Sequence, residues 1–151
     1  MAVDVSLIKK LREKTGAGVA DCREALEESK NDLKKAEEIL TKKGFEKAAK
    51  KSDRETKAGL VESYVHQGRV GAMVELLCET DFVARTDEFK TLAHEVAMQV
   101  ASMNPKDSAT LLKQEYIRDP QKTIADLVKE VIAKLGENIT VGRISRFELG
   151  K

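Results

Sequence analysis

The apolar residues of this chain change period at Gly59, and that change decides what can form on either side of it. Before Gly59 they recur every three to four positions. Beyond it, Val61, Ser63 and Val65 alternate with Glu62 and Tyr64, and Val70, Ala72, Val74 and Leu76 follow the turn residues Gln67-Gly68. The first spacing lays a stripe along a helix, the second lays a face on a strand. The chain therefore reads as a helical N-terminal part joined to a part built around a β-hairpin.

In the helical part, Asp4 or Ser6 can cap a first helix that carries Leu7, Ile8 and Leu11 on one face until Gly16 and Gly18 interrupt it. Val19, Cys22, Ala25 and Leu26 form the second stripe, and Asn31-Asp32 supplies a turn and the next cap. The third stripe is Leu33, Ala36, Ile39 and Leu40, with Gly44 as the expected left-handed closing residue after Lys42 and Lys43. A bundle this small buries too little surface to offset chain entropy comfortably, so it is expected to lean on a neighbour or partner. From Phe45 to Lys57 the chain turns basic, with Lys47, Lys50, Lys51, Arg54 and Lys57, and reads as a linker. These signals put a helical bundle with its linker over residues 1–52 and a second domain over residues 53–151.

Past Glu79 the helical period returns in Phe89, Leu92, Ala93, Val96, Ala97 and Val100, ending at Asn104-Pro105. A polar stretch through Asp119-Pro120 precedes a last helix with Ile124, Leu127, Val128, Val131, Ile132 and Leu135, closed by Gly136. Ile139, Val141, Phe147 and Leu149 then give a final strand an apolar odd-numbered face, interrupted by Arg143 and Ser145 as at a partly exposed face or an interface. The expected class is α+β: a three-helix bundle, then a three-stranded antiparallel sheet covered by helices.

Lys and Arg number 27 against 26 Asp and Glu, so a net charge of +1 supplies no general field for nucleic acid or an anionic membrane. Asp4 stands where a signal peptide needs basic and then apolar residues, and no run is long enough to span a membrane; a cytoplasmic protein is expected. The sequon Asn138-Ile139-Thr140 would then never meet the glycosylation machinery. Cys22 and Cys78 lie far apart and read as reduced packing thiols, while His66 and His94 belong to no ligand motif. No nucleophile, Walker or paired-carboxylate pattern emerges, so the chain reads as a binding protein rather than an enzyme, with no catalytic residue, metal or cofactor.

Thr80-Asp81-Phe82-Val83 marks the change from strand to helix. Thr80 or Asp81 can cap there, and Phe82 would project from the first helical turn. By residue type alone this is either a cap with a core Phe or a contact segment. Thr15-Gly16-Ala17-Gly18 lacks both the third glycine and the Lys-Ser/Thr of a phosphate loop and reads as a tight interhelical turn. The basic run at Lys50-Lys51 lacks interleaved aromatics and reads as a solvated linker.

Five blocks then stand together: Leu7 to Lys14 (LIKKLREK), Thr15 to Asp21 (TGAGVAD), Lys47 to Lys51 (KAAKK), Glu79 to Arg85 (ETDFVAR) and Lys134 to Leu149 (KLGENITVGRISRFEL). In this order they resemble the elongation factor Ts family of bacteria and organelles. The resemblance implies a ubiquitin-associated-like (UBA-like) N-terminal bundle that docks on the GTPase domain of elongation factor Tu, through positions matching Arg12, Val19 and Lys51. Family members often carry methionines where this chain has Val19-Ala20, which implies a smaller or differently packed apolar contact. It further implies that Phe82, with Thr80, Asp81 and Val83 around it, wedges beside the partner's nucleotide, disturbs its magnesium site and promotes GDP release for GTP rebinding. Short family members have additional helices where this chain has only Asn104 to Gln121, so a homodimer is expected to supply the remaining contact surface. No direct nucleic-acid contact and no membrane contact are implied. The competing reading is an adaptor or RNA-associated module that uses the bundle for peptides and the linker for phosphates.

Overall fold

The computed structural model describes residues 2–151, which form two compact units, one ending at Lys50 and the other spanning Lys51–Lys151. The first unit holds α1 (Val5–Thr15), α2 (Val19–Glu28) and α3 (Leu33–Lys51). Asp4 caps α1, its Oδ1 accepting the Ser6 N–H at 2.9 Å and the Ser6 hydroxyl at 2.8 Å. Gly16 closes the helix at φ 72°, where its N–H reaches the Arg12 carbonyl at 2.8 Å and a residue with a Cβ would be strained. The three stripes meet in a core of Leu11, Cys22, Ala25, Leu26, Ala36 and Leu40. Each fully buried leucine in it contributes about 2 kcal/mol of burial energy.

The third helix corrects the sequence reading. Gly44 does not end it, and the supposed linker from Phe45 is helical as far as Lys51. A glycine inside a helix costs only about 1 kcal/mol relative to alanine. The Lys47-Ala48-Ala49-Lys50-Lys51 run that follows is a good helix former. Ion pairs also tie this half of α3 to α2, Lys43 Nζ to Glu24 at 2.7 Å and Lys47 Nζ to Asp21 at 3.2 Å.

In the second unit, β1 (Ala58–His66), β2 (Val70–Cys78) and β5 (Ile139–Glu148) make an antiparallel sheet of order β1-β2-β5. The β1–β2 hairpin pairs Ala58 with Cys78 through to His66 with Val70 and turns with left-handed Gln67 and Gly68. Gly59, where the period changes, sits at φ 146°, and a Cβ there would run into the Leu76 carbonyl. Between β2 and α5 (Asp87–Met103) lies α4, the single turn Asp81–Ala84. The α5 helix covers one face of the sheet, burying Phe89, Leu92, Val96 and Val100 with Ala72, Val74, Leu76 and Cys78 of β2. Asn104, left-handed at φ 47°, ends it. The other face of the sheet is bare, with Val61, Val65, Met73 and Phe147 exposed.

Two expectations about the strands change in detail. Val61 and Val65 form the outer face of β1, and its half-buried positions are Leu60, Glu62 and Tyr64. In β5 the odd-numbered face does not stay on one side. The register slips between Val74 and Leu76, where Glu75 accepts the Arg143 N–H at 3.2 Å and pairs with its guanidinium at 3.2 Å. Gly142 makes room for this, since a Cβ there would meet the Glu75 carboxylate. Ile139 is therefore buried, while Ser145 and Phe147 beyond the slip face out.

The segment read as a polar stretch is also more ordered than its composition implies. It forms α6 (Ser108–Lys113) and a two-stranded ribbon of β3 (Glu115–Tyr116) and β4 (Asp119–Thr123). Gln99, fully buried on α5, pins this ribbon by donating to the Glu115 carbonyl at 3.0 Å and accepting the Ile117 N–H at 3.1 Å. Thr123 and Asp126 form a reciprocal capping box at the start of α7 (Ile124–Leu135), and Gly136 closes that helix at φ 77°. The chain then enters β5.

Candidate partner-contact site

The corner between β2 and α4 carries the Thr80-Asp81-Phe82-Val83 segment. Thr80 is extended at φ −132° and is the cap, its hydroxyl accepting the Val83 N–H at 3.4 Å; Asp81 is the first helical residue. Val83 and Ala84 turn into the core, so their side chains hold the turn against the sheet. Phe82 points the other way and is 84% exposed. The reading of this segment as a cap with a core Phe is therefore wrong in its second half: Phe89, one helix later, is the core phenylalanine. Asp81 is exposed beside Phe82.

A turn of four residues does not hold itself, because the first helical hydrogen bonds cost more chain entropy than they return. The corner is instead clamped from the chain just past α7. One Glu137 carboxylate oxygen accepts the Glu79 and Thr80 N–H groups at 3.1 and 3.0 Å, and the other accepts the Thr80 hydroxyl at 2.7 Å. The clamp is reciprocal, for the Asn138 N–H donates to Glu79 Oε1 at 3.2 Å. Asn138, itself buried, donates its amide to the Arg54 and Ser52 carbonyls at 2.8 and 3.4 Å. The Cys78 thiol adds a bond to the Thr80 carbonyl at 3.2 Å, and burial, then the nearby Glu137 charge, pushes that thiol up from its ordinary pKa. Sequence reasoning assigned Glu137 and Asn138 no role. Their signals were membership of the Lys134 to Leu149 block and the position of Gly-Glu-Asn between a helix and a strand, which say nothing about what the side chains reach.

Arg12 and Val19, the other residues singled out, flank the turn between α1 and α2. Arg12 is exposed and its Nε reaches the Ala17 carbonyl at 3.4 Å; Val19, on the first turn of α2, is 50% exposed. Lys51 is half-buried at the end of α3. Cys22 and Cys78 are free and buried. Among the described residues no group of three His, Cys, Asp or Glu side chains is placed to hold a metal ion. No helix among the described residues is long and apolar enough to cross a membrane. The arrangement can present an exposed apolar side chain to another molecule from a turn that is itself held.

Residues 1–49 match the family described as Elongation factor Ts, mitochondrial, N-terminal, and residues 79–151 match the family Elongation factor TS. A protein named Elongation factor Ts from Thermotoga neapolitana is 45% identical over 195 aligned positions, covering 100% of this chain and 99% of its own length. Proteins of the same name from Thermoanaerobacter pseudethanolicus and Fervidobacterium nodosum are 42% and 41% identical, covering 99% and 100% of this chain and 96% and 100% of their own lengths. An alignment of 195 positions against 151 residues leaves at least 44 positions without a counterpart here. With both ends matched and identity of this order along its whole length, the chain belongs to the elongation factor Ts family of translation elongation factors.

Proposed function

We propose that this protein is a guanine-nucleotide exchange factor for elongation factor Tu, working by insertion of Phe82 beside the GTPase's bound GDP. The single observation that carries the reading is Phe82 itself, almost fully exposed on a turn whose neighbours on both sides are fixed. A phenylalanine in water contributes nothing to folding, whereas a phenylalanine held rigidly outward brings a large apolar area to a partner at little entropic cost. GDP is held in such GTPases by phosphate-loop amides together with magnesium. A wedge that displaces the ion's supporting loops removes part of that affinity, with Asp81 beside Phe82 in the same segment. Coupling of this kind is reciprocal, so incoming GTP in turn expels the factor. No bond is made or broken, and the chain is not an enzyme in that sense.

Arg12, Val19 and Lys51 belong to the docking contact, with Val19 as its apolar point and Arg12 as its charge. A homodimer completes the assembly. It is supported by the bare sheet face, on which Val65, Gly71 and Phe147 pair across three strands and Met73 lies in the next row. Apolar side chains gathered on one flat face are the ordinary mark of an interface, and two such sheets pack face to face.

The test is release of a fluorescent GDP from elongation factor Tu. Phe82→Ala is expected to lower the stimulated rate well below wild type with the fold intact by circular dichroism; an unchanged rate would discard the wedge.

A further inference from the structure

We infer that Glu137 is the positioning residue of the Phe82 wedge: its carboxylate fixes the direction in which Phe82 leaves the surface. The inference rests on the exchange reading and assigns a part to a residue that never touches the partner in it. A wedge moves a loop only if it does not itself yield, and Phe82 stands on one helical turn whose own cap bond is long, 3.4 Å from the Val83 N–H to the Thr80 hydroxyl. Beside the turn's own backbone bonds of 3.1 to 3.2 Å and the Thr86 hydroxyl on the Val83 carbonyl at 2.8 Å, the residues that enter it are held by Glu137. Two successive backbone N–H groups and one hydroxyl converge on its two oxygens, and bonds to an ionised acceptor are about twice as strong as neutral ones.

Glu137 is in turn held on both sides. Gly136 before it takes the left-handed turn out of α7, and Asn138 after it is buried and bonded to the Arg54 carbonyl. Glu79 returns the contact through the Asn138 N–H. The direction of Phe82 is thus set against the end of α7 and the start of β5 as well as by the packing of Val83 and Ala84. Removing the carboxylate leaves Val83 and Ala84 in the core but frees the Thr80 hydroxyl and two N–H groups. Phe82 then samples many directions, and partner binding must restore the lost order before it can act.

Four chains decide this: wild type, Phe82→Ala, Glu137→Ala and the double variant, each measured for the maximal rate of fluorescent-GDP release from elongation factor Tu and for the half-saturating concentration. Glu137→Ala is expected to lower the maximal rate about tenfold and to change half-saturation less than about twofold, since the bundle still docks. On the Phe82→Ala background it is expected to change nothing further, because a residue acting only through Phe82 has no effect once Phe82 is gone. Glu137→Gln keeps an acceptor oxygen for the N–H groups and should lose only about threefold, again only when Phe82 is present. This milder variant carries the test if Glu137→Ala does not fold. A slow Phe82→Ala beside a Glu137→Ala and a Glu137→Gln as fast as wild type overturns the positioning role alone. An equal further loss on the Phe82→Ala background also overturns it, since Glu137 would then act through general stability or its own contact. A Phe82→Ala chain as fast as wild type overturns the exchange reading and the inference with it.

Discussion

Thr80 and Glu137, 57 residues apart in the chain, are joined by two hydrogen bonds, at 3.0 Å from the Thr80 N–H and 2.7 Å from its hydroxyl. That contact turns a four-residue helix into a fixed platform. The exchange role proposed for Phe82 rests on the turn that this contact holds.

The two phenylalanines of this region should separate stability from function. Phe89 is fully buried, and Phe89→Ala should cost about 3 to 5 kcal/mol through lost burial and the cavity left behind. Phe82→Ala, at a residue 84% exposed, should leave the urea midpoint within experimental error of wild type. A large stability loss at Phe82 would mean that the side chain packs somewhere in solution.

Gly59→Ala should destabilise the second unit by about 2 kcal/mol or more, because the residue combines a strained φ with a backbone carbonyl in the way. Gly142 differs, since the obstacle there is the Glu75 side chain, which can swing aside. Thermal unfolding of Gly59→Ala and Gly142→Ala should therefore rank the first as the more damaging.

Tyr116 should titrate late. Burial first, then its 2.7 Å hydrogen bond to Glu95, pushes the phenol from an ordinary 10.0 up to about 12. The folded chain thus holds this proton more tightly than the unfolded one. The stabilisation is complete below pH 10 and is lost as pH rises through 12. Tyrosinate absorbance should show a late-ionising phenol that disappears in Tyr116→Phe. A Tyr116 midpoint at the ordinary value would show that the ribbon does not hold its place on α5.

Phe147→Glu should break the proposed homodimer, since it places a charge on the bare sheet face in each copy. Sedimentation should move from dimer to monomer with circular dichroism unchanged. A wild-type chain that sediments as a monomer at working concentration removes the dimer from the mechanism.

Periodicity and caps were enough for much of the fold. The stripes of Leu7, Leu11, Cys22, Leu26, Ala36 and Leu40, the cap at Asp4, the turn at Gln67-Gly68 and the stops at Asn104 and Gly136 are local signals, and each acts where it stands. Local signals failed where a distant partner outweighed them. Gly44 was overridden by the ion pairs of α3 with α2 and by the alanine-lysine run after it. The apolar alternation of β5 was overridden by the bulge that Glu75 and Gly142 create. The ribbon at Glu115–Thr123 is tied to α5 by Gln99, a buried residue of another element that bonds the Glu115 carbonyl and the Ile117 N–H.

The sequence by itself determined most of the helices and the three strands of the main sheet, and its motif blocks resembled the family that the relatives then established. It left Phe82 undecided between core and surface, because a helix start says where a side chain begins and not what lies in front of it. Tertiary structure decided that question. Val83 and Ala84 occupy the core side of the turn, Phe89 fills the place a core phenylalanine would take, and Glu137 returns from the far end of the chain to fix what remains outside.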